Sequence, residues 1–126
     1  MIHERHFSPD QANALIDWVE SRIVAIREAR DRLADPAAHG ALAEAGPTNG
    51  GGKPGRAVGE AFLELRGRLV ELQEAGIVLR DLDRGLVDFP ALRDRREVYL
   101  CWELGEDRVG FWHELDTGFA GRHPLD

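Results

Sequence analysis

The side chains of this sequence that are best suited to chemistry lie in its C-terminal third. By residue type, Cys101 and His113 are the best candidates for metal ligands, because protein zinc sites use thiolate sulfur, imidazole nitrogen and carboxylate oxygen. Both lie on stretches that we expect to pair as antiparallel strands across a turn at 105–108. Whether they share a face depends on the type of turn, since a slip of one residue reverses every side chain. The sequence thus offers a candidate site for a divalent metal such as zinc. A buried thiol and a histidine hydrogen-bonded within the fold explain the two residues more simply.

Four further residues of this region are candidates for lining a ligand site: Asp88, Glu106, Trp112 and Arg122. Asp88, Glu114, Asp116 or His123 could each add a metal ligand, although none stands at a diagnostic spacing. Glu106 is more typical of a hairpin turn, and a ring such as that of Trp112 more often supplies core mass to a small sheet. Arg122 could receive an anion, although terminal arginines more often lie at the surface.

A nucleophilic role for Cys101 would need a thiolate beside His113 and an oxyanion site. Cys101 instead stands between Leu100 and Trp102 within a predicted strand, not at a helix N-terminus or an exposed turn. We therefore assign no catalytic residue, and the sequence favours a protein that is not an enzyme.

A β-rich block, 77–126, has to position these residues. Val98, Leu100, Trp102 and Leu104 alternate with their neighbours, which is the period of a half-buried strand. Segment 77–79 is apolar and rich in β-branched residues, and segment 86–89, which follows a turn at 83–85, is expected to end at Pro90. After the turn, 109–113 reads as the returning strand. The pattern predicts a three- or four-stranded antiparallel meander followed by an irregular tail.

Two long helices are predicted before this block. Ser8, Pro9 and Gln11 form the signature of a capping box, and the helix is expected to end near Ala34. A second helix is predicted from about Arg56 to Ala75, with Gly76 as its C-terminal glycine. Apolar residues recur at steps of three and four in both helices, with Arg30 at one expected position of the first: Ala12, Ile16, Val19, Ile23, Ile26 and Leu33, then Val58, Phe62, Leu65, Leu69 and Leu72.

These seams predict an antiparallel helical hairpin over about 8–75. Its connector, about 35–55, is rich in glycine and proline, and we expect it to be mobile. The fold class is therefore α+β, with the hairpin packed on the sheet in a single domain, 1–126. Each helix carries a second apolar stripe, which either the C-terminal block or a second subunit has to cover. The second explanation predicts self-association, as a dimer.

Composition excludes several classes of protein. A formal net charge of −7, with basic residues scattered among acidic ones, disfavours nucleic-acid binding. The chain lacks an apolar run long enough to cross a membrane or to act as a signal peptide, so we expect no membrane association. Its single cysteine suits a reducing compartment, and we expect a cytoplasmic protein. His3 and His6 are expected to be exposed to solvent.

Most of the chain outside the connector resembles one family. The similarity lies in 81–90, in 98–102, in Gly105-Glu106, in Trp112-His113 and in 118–122, together with Phe7-Ser8 and 12–15 near the start. On these motifs the chain is similar to the bacterial domain-of-unknown-function family 2203. The resemblance implies a small bacterial protein and supplies no activity, substrate or cofactor.

The residues themselves thus leave two functions open. The first is a non-enzymatic interaction or structural module that self-associates through its helices. The alternative is a small-molecule or metal-binding protein, conceivably an enzyme, with its site in the C-terminal block. Convergence of Cys101, His113 and a carboxylate within about 4–5 Å on an accessible cleft would favour the alternative.

Overall fold

A computed structural model describes residues 1–35 and 53–126, without the side chains of residues 53 and 54. In chain order the helices are α1 (Pro9–Ala14), α2 (Ile16–Ala34) and α3 (Lys53–Ala75). The strands are β1 (Val78–Asp81), β2 (Leu86–Arg93), β3 (Arg96–Glu103), β4 (Phe111–Glu114) and β5 (His123–Pro124), with a 3-10 turn at Phe119–Gly121 before β5. The α+β class is confirmed. Most of the predicted connector, about 35–55, lies outside the described residues.

The capping box at the start of α1 is confirmed. The Ser8 side chain accepts a hydrogen bond from the Gln11 amide, and the Gln11 side chain accepts one from the Ser8 amide. The predicted first helix is divided at Leu15, which caps α1, and α2 then runs to Ala34 as expected. The apolar positions Val19, Ile23 and Ile26 are all buried.

The C-terminus of α3 also follows its sequence. Gly76 has a φ of 83°, the left-handed conformation that glycine adopts at low cost. The Gly76 amide donates a hydrogen bond to the Gln73 carbonyl, and the Ile77 amide donates one to the Leu72 carbonyl. Two carbonyls in the last turn of the helix are thereby satisfied. The predicted seam of α3 is buried only in part, because Phe62 is 54% exposed whereas Leu72 is 1% exposed. The pairing of the two long helices as a hairpin stays a prediction.

The five strands form one antiparallel sheet in the order β1-β2-β3-β4-β5. The prediction of three or four strands was too low, because two residues of the tail, His123 and Pro124, pair with β4. The expected stop at Pro90 was also wrong, since β2 continues to Arg93. The Pro90 carbonyl accepts a hydrogen bond from the Phe7 amide, on the side of β2 that faces away from β3. The nitrogen of Pro90, which has no hydrogen to donate, faces the same side, beyond the end of β1. Proline is tolerated there because no hydrogen bond between strands is lost.

The described chain divides into two compact units, one of residues 1–21 and 71–126 and the other of residues 22–70. In the first unit one face of the sheet is apolar and buries Val87, Phe89, Leu100 and Trp102. The ring of Phe7 packs edge-on against Phe89 at 5.4 Å between centroids. In the second unit the buried apolar residues are Ile23, Ile26, Ala29 and Ala61. Within the described residues, none of the helices is long and apolar enough to cross a membrane.

Candidate functional site

Three side chains that could bind a metal meet on the opposite face of the sheet, which we call the polar face. Asp88 pairs with Cys101 across β2 and β3. His113 pairs with Tyr99, two residues from Cys101, across β3 and β4. Directly paired residues share a face, as do residues two apart on a strand, so Asp88, Cys101 and His113 share one. Their ligand atoms lie within 4.8 Å of one another, and the residues are 2%, 0% and 2% exposed.

Both nitrogens of the His113 ring face a hydrogen-bond acceptor. Nδ1 lies 2.7 Å from the Glu114 main-chain oxygen, and since a carbonyl only accepts, Nδ1 must carry a hydrogen and donate it. Nε2 lies 2.9 Å from Oδ1 of Asp88. A neutral ring protonated on Nδ1 would turn the Nε2 lone pair toward a carboxylate oxygen, and two lone pairs repel. A hydrogen or a metal ion must therefore lie between Nε2 and Oδ1.

The second oxygen of Asp88 is bound by an arginine. Nε of Arg80 donates to Oδ2 at 2.9 Å, and the guanidinium lies 4.9 Å from the centre of the Tyr99 ring. Partial burial would lower the pKa of Arg80, but its hydrogen bond to Asp88 and the charge of Asp88 outweigh that effect and raise it. Asp88 therefore joins two partners, Arg80 outside the cluster and His113 within it.

Cys101 is held as a thiol at neutral pH. Burial raises the pKa of Cys101 to about 12, and the charge of Asp88 adds to that effect. A hydrogen bond from Arg122 and its positive charge act in the opposite direction. Because a metal binds the thiolate, a metal ion at this cluster has to displace the thiol proton.

A cavity of about 340 Å³ opens beside the cluster. Asp88, His113 and Arg80 line its sheet side, and the loop 115–119 lines the other. This loop is held by the ring of Phe119, which lies 4.2 Å and 4.1 Å from the guanidinium carbons of Arg84 and Arg122. The cluster is therefore buried on the sheet side and reached through a small cavity on the other.

The remaining predicted site residues lie apart from this cavity wall. Glu106 and Arg122 bind each other at 3.1 Å, and Arg122 also stacks on Phe111 at 3.8 Å. Arg122 also contacts the cluster, through a hydrogen bond to the Cys101 side chain. Trp112 pairs with Leu100 and so lies on the apolar face, where its ring contacts His123.

Sequence reasoning missed two groups beside the cluster. Arg80 lies within a register shift in β1, between residues 79 and 81, so its face could not be inferred from simple alternation. His3 and His6 were expected to be exposed, but both are partly buried, and Nε2 of His3 lies 2.6 Å from the Tyr99 hydroxyl. A chain segment remote in sequence thus covers part of the polar face.

Fold and site together define a small α+β protein with a buried aspartate–cysteine–histidine cluster. The family model described as "Uncharacterized conserved protein (DUF2203)" matches residues 5–125, and the chain belongs to this family. No curated protein and no solved structure matches it. The family description names no reaction or ligand, so function has to be argued from the site.

Proposed function

We propose that this protein binds one divalent transition-metal ion through Asp88, Cys101 and His113. The observation that carries the proposal is the approach of His113 Nε2 to Asp88 Oδ1 at 2.9 Å beside the Cys101 sulfur, with Nδ1 committed as a donor to Glu114. Metal-binding histidines typically donate their second ring N–H to a carbonyl or carboxylate in this way, which fixes the tautomer and the ring orientation.

The distance between the histidine and the aspartate suits zinc. Zinc–nitrogen and zinc–oxygen bonds of about 2.0–2.1 Å at a tetrahedral angle place two ligand atoms about 3.3 Å apart, and the observed 2.9 Å between Nε2 and Oδ1 is a few tenths of an ångström shorter. The Cys101 sulfur lies within 4.8 Å of both atoms, and to share an ion with them it has to lie about 3.6 Å away. Thiolate, imidazole and carboxylate together match zinc better than magnesium or calcium, which prefer oxygen ligands.

Acid–base catalysis by His113 is a weaker interpretation of the same geometry. A general base needs a free nitrogen aimed at the substrate, and both ring nitrogens of His113 are held by neighbours, Glu114 and Asp88. Nucleophilic catalysis by Cys101 is disfavoured by a thiol pKa of about 12. A cytoplasmic location, proposed from the lone cysteine, would keep this thiol reduced and able to bind a metal.

The test is calorimetric titration of chelator-treated protein with zinc. We expect one zinc ion per chain, and affinity at least about 100-fold weaker in Asp88→Asn and Cys101→Ser, because even indirect partners of a metal ligand cost about 10–100-fold when lost. His123→Ala is the matched control, since this exposed histidine lies on the other face beside Trp112. Equal zinc binding by all four proteins, or none by the unaltered protein, would rule out the site.

A second candidate function, self-association through the helices, is favoured by exposed apolar side chains in the unit of residues 22–70. Phe62, Leu63 and Leu69 of α3 are 54%, 65% and 37% exposed, and Val24 of α2 is 39% exposed. Phe62 and Leu69 are seven residues apart and so lie on the same side of α3. We propose a second copy of the chain as the partner, because one apolar stripe can pair with itself about a twofold axis.

Light scattering during size exclusion tests this candidate. The unaltered protein is expected to run as a dimer, and the double variant Phe62→Glu, Leu63→Glu as a monomer. Leu92→Glu is the control, since Leu92 is 50% exposed but lies in the other unit. A monomeric unaltered protein at high concentration would exclude self-association.

A further inference from the structure

The proposed metal would have three protein ligands and a cavity on one side. Structural zinc sites close with four protein ligands, whereas three leave a position for water or a substrate. Asp88 and His113 line the cavity of about 340 Å³, while Cys101 lies behind them at 0% exposure. The open position would therefore face the cavity, whose volume falls within the range of small-molecule sites.

Arg80 brings an anion-binding group to the same cavity. A guanidinium has five N–H donors; the bond from Nε to Asp88 uses one of them and a hydrogen bond to Tyr99 uses another. The side chain is 41% exposed and lines the cavity wall. Its positive charge thus lies beside the proposed metal, on the side from which a ligand would enter.

The charges of the cavity wall favour a ligand with a single negative charge. Asp88 and a Cys101 thiolate would neutralise a divalent ion, and Arg122 is paired with Glu106 away from the cavity wall, which leaves Arg80 as the positively charged side chain lining the cavity. Asp116, on the loop opposite, is exposed and also lines the cavity. Its charge would repel a dianion such as phosphate more strongly than a monocarboxylate.

We propose that this protein binds a small monocarboxylate, with one oxygen at the open metal position and the carboxylate against Arg80. The inference rests on the proposed metal-binding function and adds the ligand class. Phe119 and Leu115 on the loop side of the cavity would contact the apolar part of such a molecule. Loop 115–119 is anchored through Phe119 by Arg84 and Arg122, so the cavity is formed before the ligand enters.

Cobalt(II)-loaded protein provides the test, because the visible bands of cobalt change when its coordination changes. Acetate is titrated into the unaltered protein, with neutral acetamide as the control of equal size and inorganic phosphate as the dianion. We expect acetate to shift the bands, acetamide to leave them unchanged, and phosphate to bind more weakly than acetate. This comparison needs no variant and so does not depend on the folding of one.

Variants then assign the role of Arg80. Arg80→Gln is expected to weaken acetate binding about 10- to 100-fold, the usual effect of losing a charged hydrogen bond. Arg80→Lys should keep part of the affinity because its charge remains. Asp116→Asn is the matched control at the same cavity and should bind acetate equally well or more tightly.

The outcomes separate this inference from the metal site itself. If cobalt gives no bands, both the metal site and the carboxylate site are wrong. If cobalt binds but acetate leaves its bands unchanged, or if acetamide shifts them equally, the carboxylate proposal is overturned while the metal site stands. If Arg80→Gln binds acetate as tightly as the unaltered protein, the assignment of Arg80 is overturned.

Discussion

Two substitutions of Asp88 separate the hydrogen-bond account of the cluster from a simple loss of packing. Asp88→Ala leaves Nε2 of His113, a residue 2% exposed, without its partner, which costs about 1–3 kcal/mol for a buried polar group. It also removes the Arg80 ion pair, worth only about 0–1 kcal/mol because Arg80 is 41% exposed. The expected loss in the metal-free protein is about 3 kcal/mol.

Asp88→Asn should cost only about 1 kcal/mol, because its amide can donate to Nε2 of His113 and its oxygen can accept from Arg80. Only the charge is lost. Urea unfolding at neutral pH with a chelator measures both values. Fluorescence is a suitable signal because Trp18, Trp102 and Trp112 all lie in the unit that contains the sheet. Equal destabilisation by the two variants, or none by Asp88→Ala, would refute the hydrogen-bond account.

Three further predictions follow from the same structure. Burial raises the pKa of Cys101 to about 12 from an ordinary value of 9.0, so at pH 7.5 its thiolate should be about 1000-fold scarcer in metal-free folded protein than in unfolded protein. Iodoacetamide should therefore label Cys101 rapidly only in urea. Rapid labelling of the native protein would contradict this prediction. Burial alone would raise the pKa of Glu97, but the backbone amide of His3 and the side chain of His6 hold it below its ordinary value of 4.5, so the stability that Glu97 adds should be present at pH 7 and lost in acid as pH falls through the lowered pKa. Thermal unfolding at pH 7 and in acid should show a gap between unaltered protein and Glu97→Gln at pH 7 that closes in acid, and a constant gap would count against it. Gly85→Ala should destabilise by about 1–3 kcal/mol in urea unfolding, because φ is 66° and a Cβ would lie 2.5 Å from Cβ of Leu104; a neutral effect would show that the turn relaxes freely.

Local signals in the sequence predicted local structure well. The capping box at Ser8, the end of α2 at Ala34 and the left-handed Gly76 each depend on a few neighbouring residues. The alternation around Cys101 likewise predicted β3 to within about two residues at each end. Such features follow from short-range hydrogen bonds and sterics, which a single segment already contains.

The composition of the site depended on register between strands and was harder to predict. Asp88 meets Cys101 because β2 passes through Pro90, whereas the sequence suggested a stop there. Arg80, which binds Asp88, lies within the irregularity of β1. Neither contact can be inferred from one segment of the sequence, since both depend on how the strands pair.

One constraint was already present in the sequence. Trp112 and His113 are adjacent on a strand and so point to opposite faces. A site containing His113 therefore could not also contain Trp112 on the same face, and the structure separates them in this way. Alternation limits which neighbours can join a site even when it cannot identify the site.

The most direct test of the central claim is elemental analysis of the untagged protein as purified from cells. We predict about one zinc or similar transition-metal ion per chain in the unaltered protein and in His123→Ala. Asp88→Asn and His113→Ala, each verified as folded by circular dichroism, should retain almost none. Absence of metal from the unaltered protein, or equal metal in all four, would contradict a metal site at Asp88, Cys101 and His113.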